Sequence, residues 1–116
     1  MLIQIHTDNH VEGNASLQDW VRNEVTETLS RFAPQLTRVE VFFSDANGAK
    51  TAGNDKQCKL ELRLSGLEPL AMSKSSDSLE VALSAALDAV TLTLDSRLEK
   101  LREKKGRTPM GGETGD

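Results

Sequence analysis

The amino-acid sequence predicts an α+β domain in which a four-stranded mixed sheet carries two helices packed on one face. Three observations predict this fold class. Four short segments alternate apolar and polar residues with period two, two longer segments carry apolar stripes at helical spacing, and the order of the six segments is β-α-β-β-β-α. A helix between the first two strands predicts that they run parallel with a right-handed crossover, and the remaining strands are predicted to form a meander.

The first strand is predicted over residues 2–7, LIQIHT, where isoleucines alternate with polar residues. Asn14 is placed to cap the helix that follows, because its side chain can accept a hydrogen bond from a free backbone N–H. Apolar residues at helical spacing then continue as far as Phe32. Pro34 ends this helix, since the residue before a proline avoids the helical region of the backbone.

The middle of the chain predicts three more strands, over residues 37–44, 58–65 and 70–75. In the first two of these, apolar residues alternate mostly with charged ones, so one face of the sheet should be buried and the other wet. Pro69 stands at the start of the last strand, which is tolerated there or at a sheet edge. Cys58 alternates with leucines, which predicts a small core residue rather than a nucleophile.

The last helix is predicted to begin after a cap at Asp77 or Ser78 and to continue to about Lys105. It would be about 40 Å long, whereas a strand of about six residues spans only about 20 Å. The last turns should therefore project beyond the sheet or pack on another chain. We assign residues 1–105 to a single domain and predict that residues 106–116, which are polar and rich in glycine, form a flexible tail.

Composition restricts the class of function. The chain has 116 residues and a net charge of −4, which disfavours a generic polyanion binder. The charge is uneven, however: residues 1–96 hold 8 basic and 14 acidic side chains, whereas residues 97–107 hold 6 basic and 2 acidic ones. Any attraction to nucleic acid should concentrate at this basic end. Neither a membrane-spanning run nor a signal-peptide pattern is evident, so we expect a cytoplasmic protein.

The connection between the second and third strands, residues 44–58, raises the question of a ligand loop. Its glycines have the spacing of a phosphate-binding loop, but Asn54 and Asp55 stand where that motif needs Lys followed by Ser or Thr. Interpreted as a calcium loop beginning at Asp45, it lacks the required glycine and the terminal carboxylate. We interpret the stretch as a long hairpin connection whose length leaves room for a contact role.

No catalytic set is evident in the sequence. His6 and His10 could share a metal ion, but no Cys or Glu completes an evident ligand set, so surface histidines are the simpler interpretation. We find neither a Ser/His/Asp arrangement with its supporting motifs nor a pair of catalytic carboxylates. We therefore predict a protein that is not an enzyme, with no catalytic residues, no cofactor and no metal site.

Two stretches resemble one known family, and the likeness extends over roughly residues 2–105. HVEGNASLQDWV has a Val-Glu pair, a helix cap, a Leu and a Trp-Val pair in the order found after that family's first strand. SSDSLEVALSAALDAVTLTL is similar to its last helix. The family is that of the hibernation-promoting factors and ribosome-associated inhibitors, also called sigma-54 modulation proteins. The resemblance implies a factor that binds the small ribosomal subunit near the mRNA and tRNA positions and silences idle ribosomes.

The resemblance also implies contacts from basic residues on the helices to 16S rRNA, and here the sequence departs from the family. Positions that are commonly basic are occupied by Gln18, Glu24 and Glu27 in the first helix and by Ala89, Leu92 and Ser96 in the last. Each lost phosphate contact lowers affinity and its salt dependence. The remaining basic residues that we expect to contact RNA are Arg22, Lys74, Arg97, Lys100, Arg102 and Lys104.

Two hypotheses remain open. The first is a ribosome-associated stress or stationary-phase factor that regulates translation by occupancy. The second is a protein–protein interaction module of the same fold, which would bind a partner or form a homodimer through the long second helix, the wet sheet face or the long loop. The basic end can also be a solvated helix terminus favoured by the helix dipole. A continuous positive stripe across both helices would favour the first hypothesis, and an acidic helix face would favour the second.

Overall fold

The structure is a computed structural model that describes residues 1–8, 11–45 and 55–106, with the backbone alone described for residues 103–106. The predicted β-α-β-β-β-α order is confirmed. The elements are β1 (Leu2–Thr7), α1 (Ala15–Leu29) with a 3-10 turn (Ser30–Phe32), β2 (Leu36–Asp45), β3 (Lys56–Leu64), β4 (Leu70–Ser76) and α2 (Leu79–Gly106).

The four strands form one mixed sheet in the order β1-β2-β3-β4. β1 runs parallel to β2, with Ile3 beside Val39 and Ile5 beside Val41, as the helical connection between them predicted. β3 is antiparallel to both of its neighbours, so the predicted meander is confirmed. β1 and β4 are therefore the edges of the sheet, and Pro69 immediately precedes an edge strand.

One face of the sheet and one stripe of each helix form the core, as the alternation predicted. Six inward side chains in the middle of the two central strands are at most 1% exposed: Val39, Val41, Phe43, Cys58, Leu60 and Leu62. Burying a Val, Leu or Phe side chain contributes roughly 1.5–3 kcal/mol. The helices cover this face with Val21, Val25 and Leu29 from α1 and with Ala82, Leu83, Ala86, Leu87, Val90 and Leu94 from α2.

Both helices begin at predicted caps. Asn14 Oδ1 accepts a hydrogen bond from the backbone N–H of Leu17 at 2.9 Å. Ser78 Oγ accepts one from the backbone N–H of Val81 at 3.0 Å, so Ser78 rather than Asp77 caps α2. Each bond satisfies a helix N–H that has no partner inside its own helix.

The second helix extends past the sheet. Its 28 residues correspond to about 42 Å, whereas the nine residues of β3 beneath it span about 30 Å. Along its inward side, Leu94 is fully buried, Leu98 is partly buried and Leu101 is 40% exposed. The inward side of α2 therefore leaves the core near Leu98. None of the described helices is both long and apolar enough to cross a membrane.

The strands flanking the predicted loop are longer than the sequence indicated. β2 continues to Asp45 and β3 begins at Lys56, and these two residues are paired across the strands. Lys56 Nζ lies 3.3 Å from Asp45 Oδ2 and 3.5 Å from Asp55 Oδ1, and the hydrogen bond to Asp45 raises the pKa of this lysine. Residues 46–54, on which the loop hypotheses depend, lie outside the described residues, and so does the predicted tail beyond residue 106.

Candidate nucleic-acid interface

The six basic residues expected to contact RNA lie in three separate places, two of them at opposite edges of the sheet. Arg22, on α1, reaches the edge strand β1, where its Nη1 donates a hydrogen bond to the carbonyl oxygen of Ile3 at 2.9 Å. Lys74 lies on the other edge strand and pairs with Cys58, so its exposed side chain is on the helix side of the sheet. Strand spacing of about 4.8 Å separates the two edges by roughly 14 Å.

The third place is the last part of α2. Arg97 Nη1 donates a hydrogen bond to the carbonyl oxygen of Glu68, in the turn between β3 and β4, at 2.6 Å. Lys100 and Arg102 are exposed, and neither makes an ion pair with another described residue. Lys104 lies on the same helix, but its side chain is outside the described part of the chain. The basic end of α2 is thus anchored at Arg97 and exposed beyond it.

Another cation near the helices, Arg31, is held by a carboxylate. Its Nη1 and Nη2 lie 2.6 and 2.9 Å from the two carboxylate oxygens of Asp95, which joins the end of α1 to α2. Its guanidinium also lies 4.3 Å from the ring centroid of Phe32. The hydrogen bonds raise the pKa of Arg31 and lower the pKa of Asp95. Because both side chains are about half exposed, this bidentate pair orients the helices more than it stabilises the fold.

The sheet face turned away from the helices is wet, as predicted, but its charges compensate one another. Glu40 accepts from Arg38 at 3.0 Å and from His6 at 3.1 Å, and the His6 ring stacks on Phe42. On the neighbouring strand, Lys59 lies 3.1 Å from Glu61. This face therefore presents no large field of one sign.

The residues weighed for chemistry occupy structural positions. Cys58 is fully buried, and burial raises the pKa of its thiol to about 12, so the reactive thiolate is absent at neutral pH. The core interpretation of this residue is confirmed. His6 is paired with Glu40, whereas His10 lies outside the described residues. Within residues 1–8, 11–45 and 55–106, no three His, Cys, Asp or Glu side chains are grouped to hold a metal ion.

Comparison with known proteins identifies the family. The family model described as "Sigma 54 modulation protein / S30EA ribosomal protein" matches residues 3–105. The chain belongs to this family. Because the match extends from the first strand through nearly all of α2, it includes every element of the observed fold.

Solved structures share the fold of this family member at low sequence identity. The N-terminal domain of Thermus thermophilus Protein Y superimposes with a TM-score of 0.65 at 16% identity, over 80% of this chain and 94% of that one. A ribosomal subunit interface protein from Coxiella burnetii does so with a TM-score of 0.61 at 16% identity, over 90% of this chain and 100% of that one. No curated protein matches the sequence.

The solvent-facing sides of α1 and α2 are not basic, although the resemblance implied basic residues on both helices. α1 exposes Asp19 and Glu27, and α2 exposes Glu80 and Asp88. At one of the positions that the resemblance marked as commonly basic, Leu92 is 72% exposed to solvent. The described residues therefore form no continuous positive stripe across the helices, and acidic side chains along this face would repel phosphate.

Proposed function

We propose that this protein is a ribosome-associated translation regulator that binds the small ribosomal subunit through 16S rRNA. It silences or preserves idle ribosomes by occupying the subunit, without catalysis, in the cytoplasm of stressed or stationary-phase cells. The observation that carries the proposal is family membership over residues 3–105. The basic end of α2 supports it, because exposed Lys and Arg side chains that form no ion pair among the described residues are groups that can neutralise RNA phosphates.

In this proposal the phosphate contacts concentrate on the part of α2 beyond the sheet. Lys100 and Arg102 are exposed there, and Lys104 follows in the sequence. One N–H of the Arg97 guanidinium donates to the carbonyl oxygen of Glu68, and its other N–H groups are left to donate to a phosphate. Arg22 would add a contact at one sheet edge and Lys74 at the other.

Co-sedimentation of the purified protein with small subunits and with whole ribosomes tests this function. Measured from about 50 to about 200 mM salt, the logarithm of the affinity should fall by roughly 0.7–0.9 per phosphate contact for each tenfold rise in salt. The Arg102→Glu variant should bind more weakly than the wild type. Arg63→Glu is the matched control, because Arg63 is also exposed and has no ion pair among the described residues, but lies on the opposite sheet face. Absence of binding even at low salt would refute the proposal.

A second candidate function, a protein-interaction module, is favoured by the acidic helix face. Exposed Asp19, Glu27, Glu80 and Asp88 suit a basic protein surface better than RNA. A pull-down from nuclease-treated lysate distinguishes the two functions: a module retains a non-ribosomal partner after the RNA is digested, whereas a ribosomal factor recovers only rRNA and ribosomal proteins. A second copy of the chain is one candidate partner.

A further inference from the structure

A groove opens between the beginnings of α1 and α2, beside the start of β3, and we call it the N-terminal groove. Its volume is about 520 Å³, within the roughly 300–1,000 Å³ of ligand-binding clefts. Leu17 and Trp20 of α1 and Leu79 of α2 form its apolar part, and these three side chains pack against the core but stay partly exposed. Its charged side chains are Lys56, Asp77 and Glu80.

The two helices are joined at the other end of the pair, not at the N-terminal groove. There the bidentate ion pair between Arg31 and Asp95 connects them. Among the described residues, no hydrogen bond or ion pair joins the first turns of α1 to the first turns of α2. The apolar part of the groove is therefore open to solvent between the helices, and covering it would remove apolar surface from water, which favours binding.

The described side chains at the N-terminal groove carry a negative balance of charge. The Nζ of Lys56 lies 3.3 Å from Asp45 Oδ2 and 3.5 Å from Asp55 Oδ1, so two buried carboxylates already compensate the cation of the lining. Asp77 and Glu80 are exposed at the rim and have no ion pair among the described residues. One cation against four carboxylates leaves three negative charges. The two helix beginnings, each equivalent to roughly +0.5 charge, reduce this balance to about −2.

We propose that the N-terminal groove docks a basic segment of a partner protein that also carries apolar side chains. The apolar side chains cover Leu17, Trp20 and Leu79, and Arg or Lys side chains bring their charged ends to Asp77 and Glu80. Arg and Lys suit this surface because each combines an apolar stem with a cationic head. The same carboxylates repel phosphate, so RNA does not fit the groove. The inference rests on the second candidate function, the protein-interaction module, and not on ribosome binding.

Fluorescence titration of the purified protein with a synthetic peptide tests the docking without ribosomes. Trp20 is the sole tryptophan of the chain, so its emission reports on the groove directly. A peptide of alternating arginine and leucine should change this emission in a saturable way, with a Kd of about 1–100 μM at low salt, and binding should weaken as salt is raised. Two control peptides, one with glutamate in place of arginine and one with serine in place of leucine, should each bind at least about tenfold more weakly. Equal affinity for either control peptide would overturn the proposal.

A pair of charge-reversal variants locates the binding site. Glu80→Lys should weaken binding of the arginine–leucine peptide by about tenfold. Glu99→Lys is the matched control, because it makes the same change in net charge at an exposed position of α2 about 28 Å further along the helix. It should keep the affinity of the wild type, and circular dichroism verifies that both variants are folded.

Calorimetry with the same peptide measures the affinity independently of Trp20. Absence of binding by the wild type, an equal loss in the two variants, or binding detected by calorimetry while the emission of Trp20 stays unchanged would each overturn the proposal. A short RNA added to the complex should leave the peptide bound at low protein concentration. Displacement of the peptide by RNA would assign the groove to nucleic acid instead and refute the inference.

Discussion

Leucine-to-alanine changes at four positions of α2 should cost very different amounts of stability, because the helix leaves the core along its length. Leu94 is fully buried, Leu98 is partly buried, Leu101 is 40% exposed and Leu92 is 72% exposed. All four lie within one helix, so the change in helix propensity is the same and small. Differences among the four variants therefore measure burial.

The magnitudes follow from the area and cavity that each change creates. Leu94→Ala should lower the free energy of unfolding by about 3–5 kcal/mol, which is typical when a fully buried leucine is replaced by alanine. Leu98→Ala should cost about half as much, Leu101→Ala less than about 1 kcal/mol, and Leu92→Ala no more than about 0.5 kcal/mol. For a domain whose total stability is about 5–15 kcal/mol, the first change consumes a large fraction.

Urea unfolding followed by circular dichroism measures this series. With a slope of about 1–3 kcal/mol per molar urea, the Leu94→Ala midpoint should fall by at least about 1 M while the Leu92→Ala midpoint barely moves. If Leu101→Ala costs as much stability as Leu94→Ala, then α2 is still buried at Leu101. The inference that the helix leaves the core near Leu98 would then be wrong.

Three further predictions concern a cap, an ion pair and a thiol. Asn14→Ala should lower the free energy of unfolding by about 1 kcal/mol in a thermal melt, more than Asn23→Ala in the exposed middle of the same helix. The pKa of Asp95 is lower in the folded state than in the unfolded state. Its pair with Arg31 therefore contributes to stability at any pH above the unfolded pKa of Asp95, and that contribution is lost as the pH falls through the folded pKa. The stability difference between wild type and Asp95→Asn should therefore disappear in acid; a difference that persists would contradict it. Because the thiol pKa of Cys58 is raised to about 12, unfolding releases its proton above about pH 8.5, so stability should fall from there upward. Cys58→Ala should lack that fall, and thiol reagents should label the native protein only on unfolding.

The elements of the fold were predictable because their signals are local. Alternation along β2 and β3 places Val41 and Leu60 on the buried face without any knowledge of the partner strand. Asn14 was identifiable as a cap because capping depends on a residue and its next three neighbours. The choice between Asp77 and Ser78 was not predictable, since both side chains can accept the same backbone N–H and only the backbone geometry selects Ser78.

The candidate site was less predictable because it depends on contacts distant in sequence. Arg31 and Asp95 are 64 residues apart, and no spacing rule connects them. From the sequence, Arg22 and Arg97 were expected to be available for RNA. In the folded chain each donates a hydrogen bond to a backbone carbonyl oxygen. The sequence did indicate that the helices carry few basic residues, and the structure shows that acidic and neutral side chains on them are exposed.

The arrangement of α2 concentrates the proposed RNA contacts at one end of the molecule. Its inward side is buried in the core, its outward side exposes acidic and neutral side chains, and its basic residues lie beyond the sheet. Attraction to phosphate should therefore depend mainly on the last turns of the helix. Arg102→Glu should then weaken binding to small subunits more than Arg22→Glu does. An equal loss in the two variants would mean that the sheet edge contributes as much as the helix end.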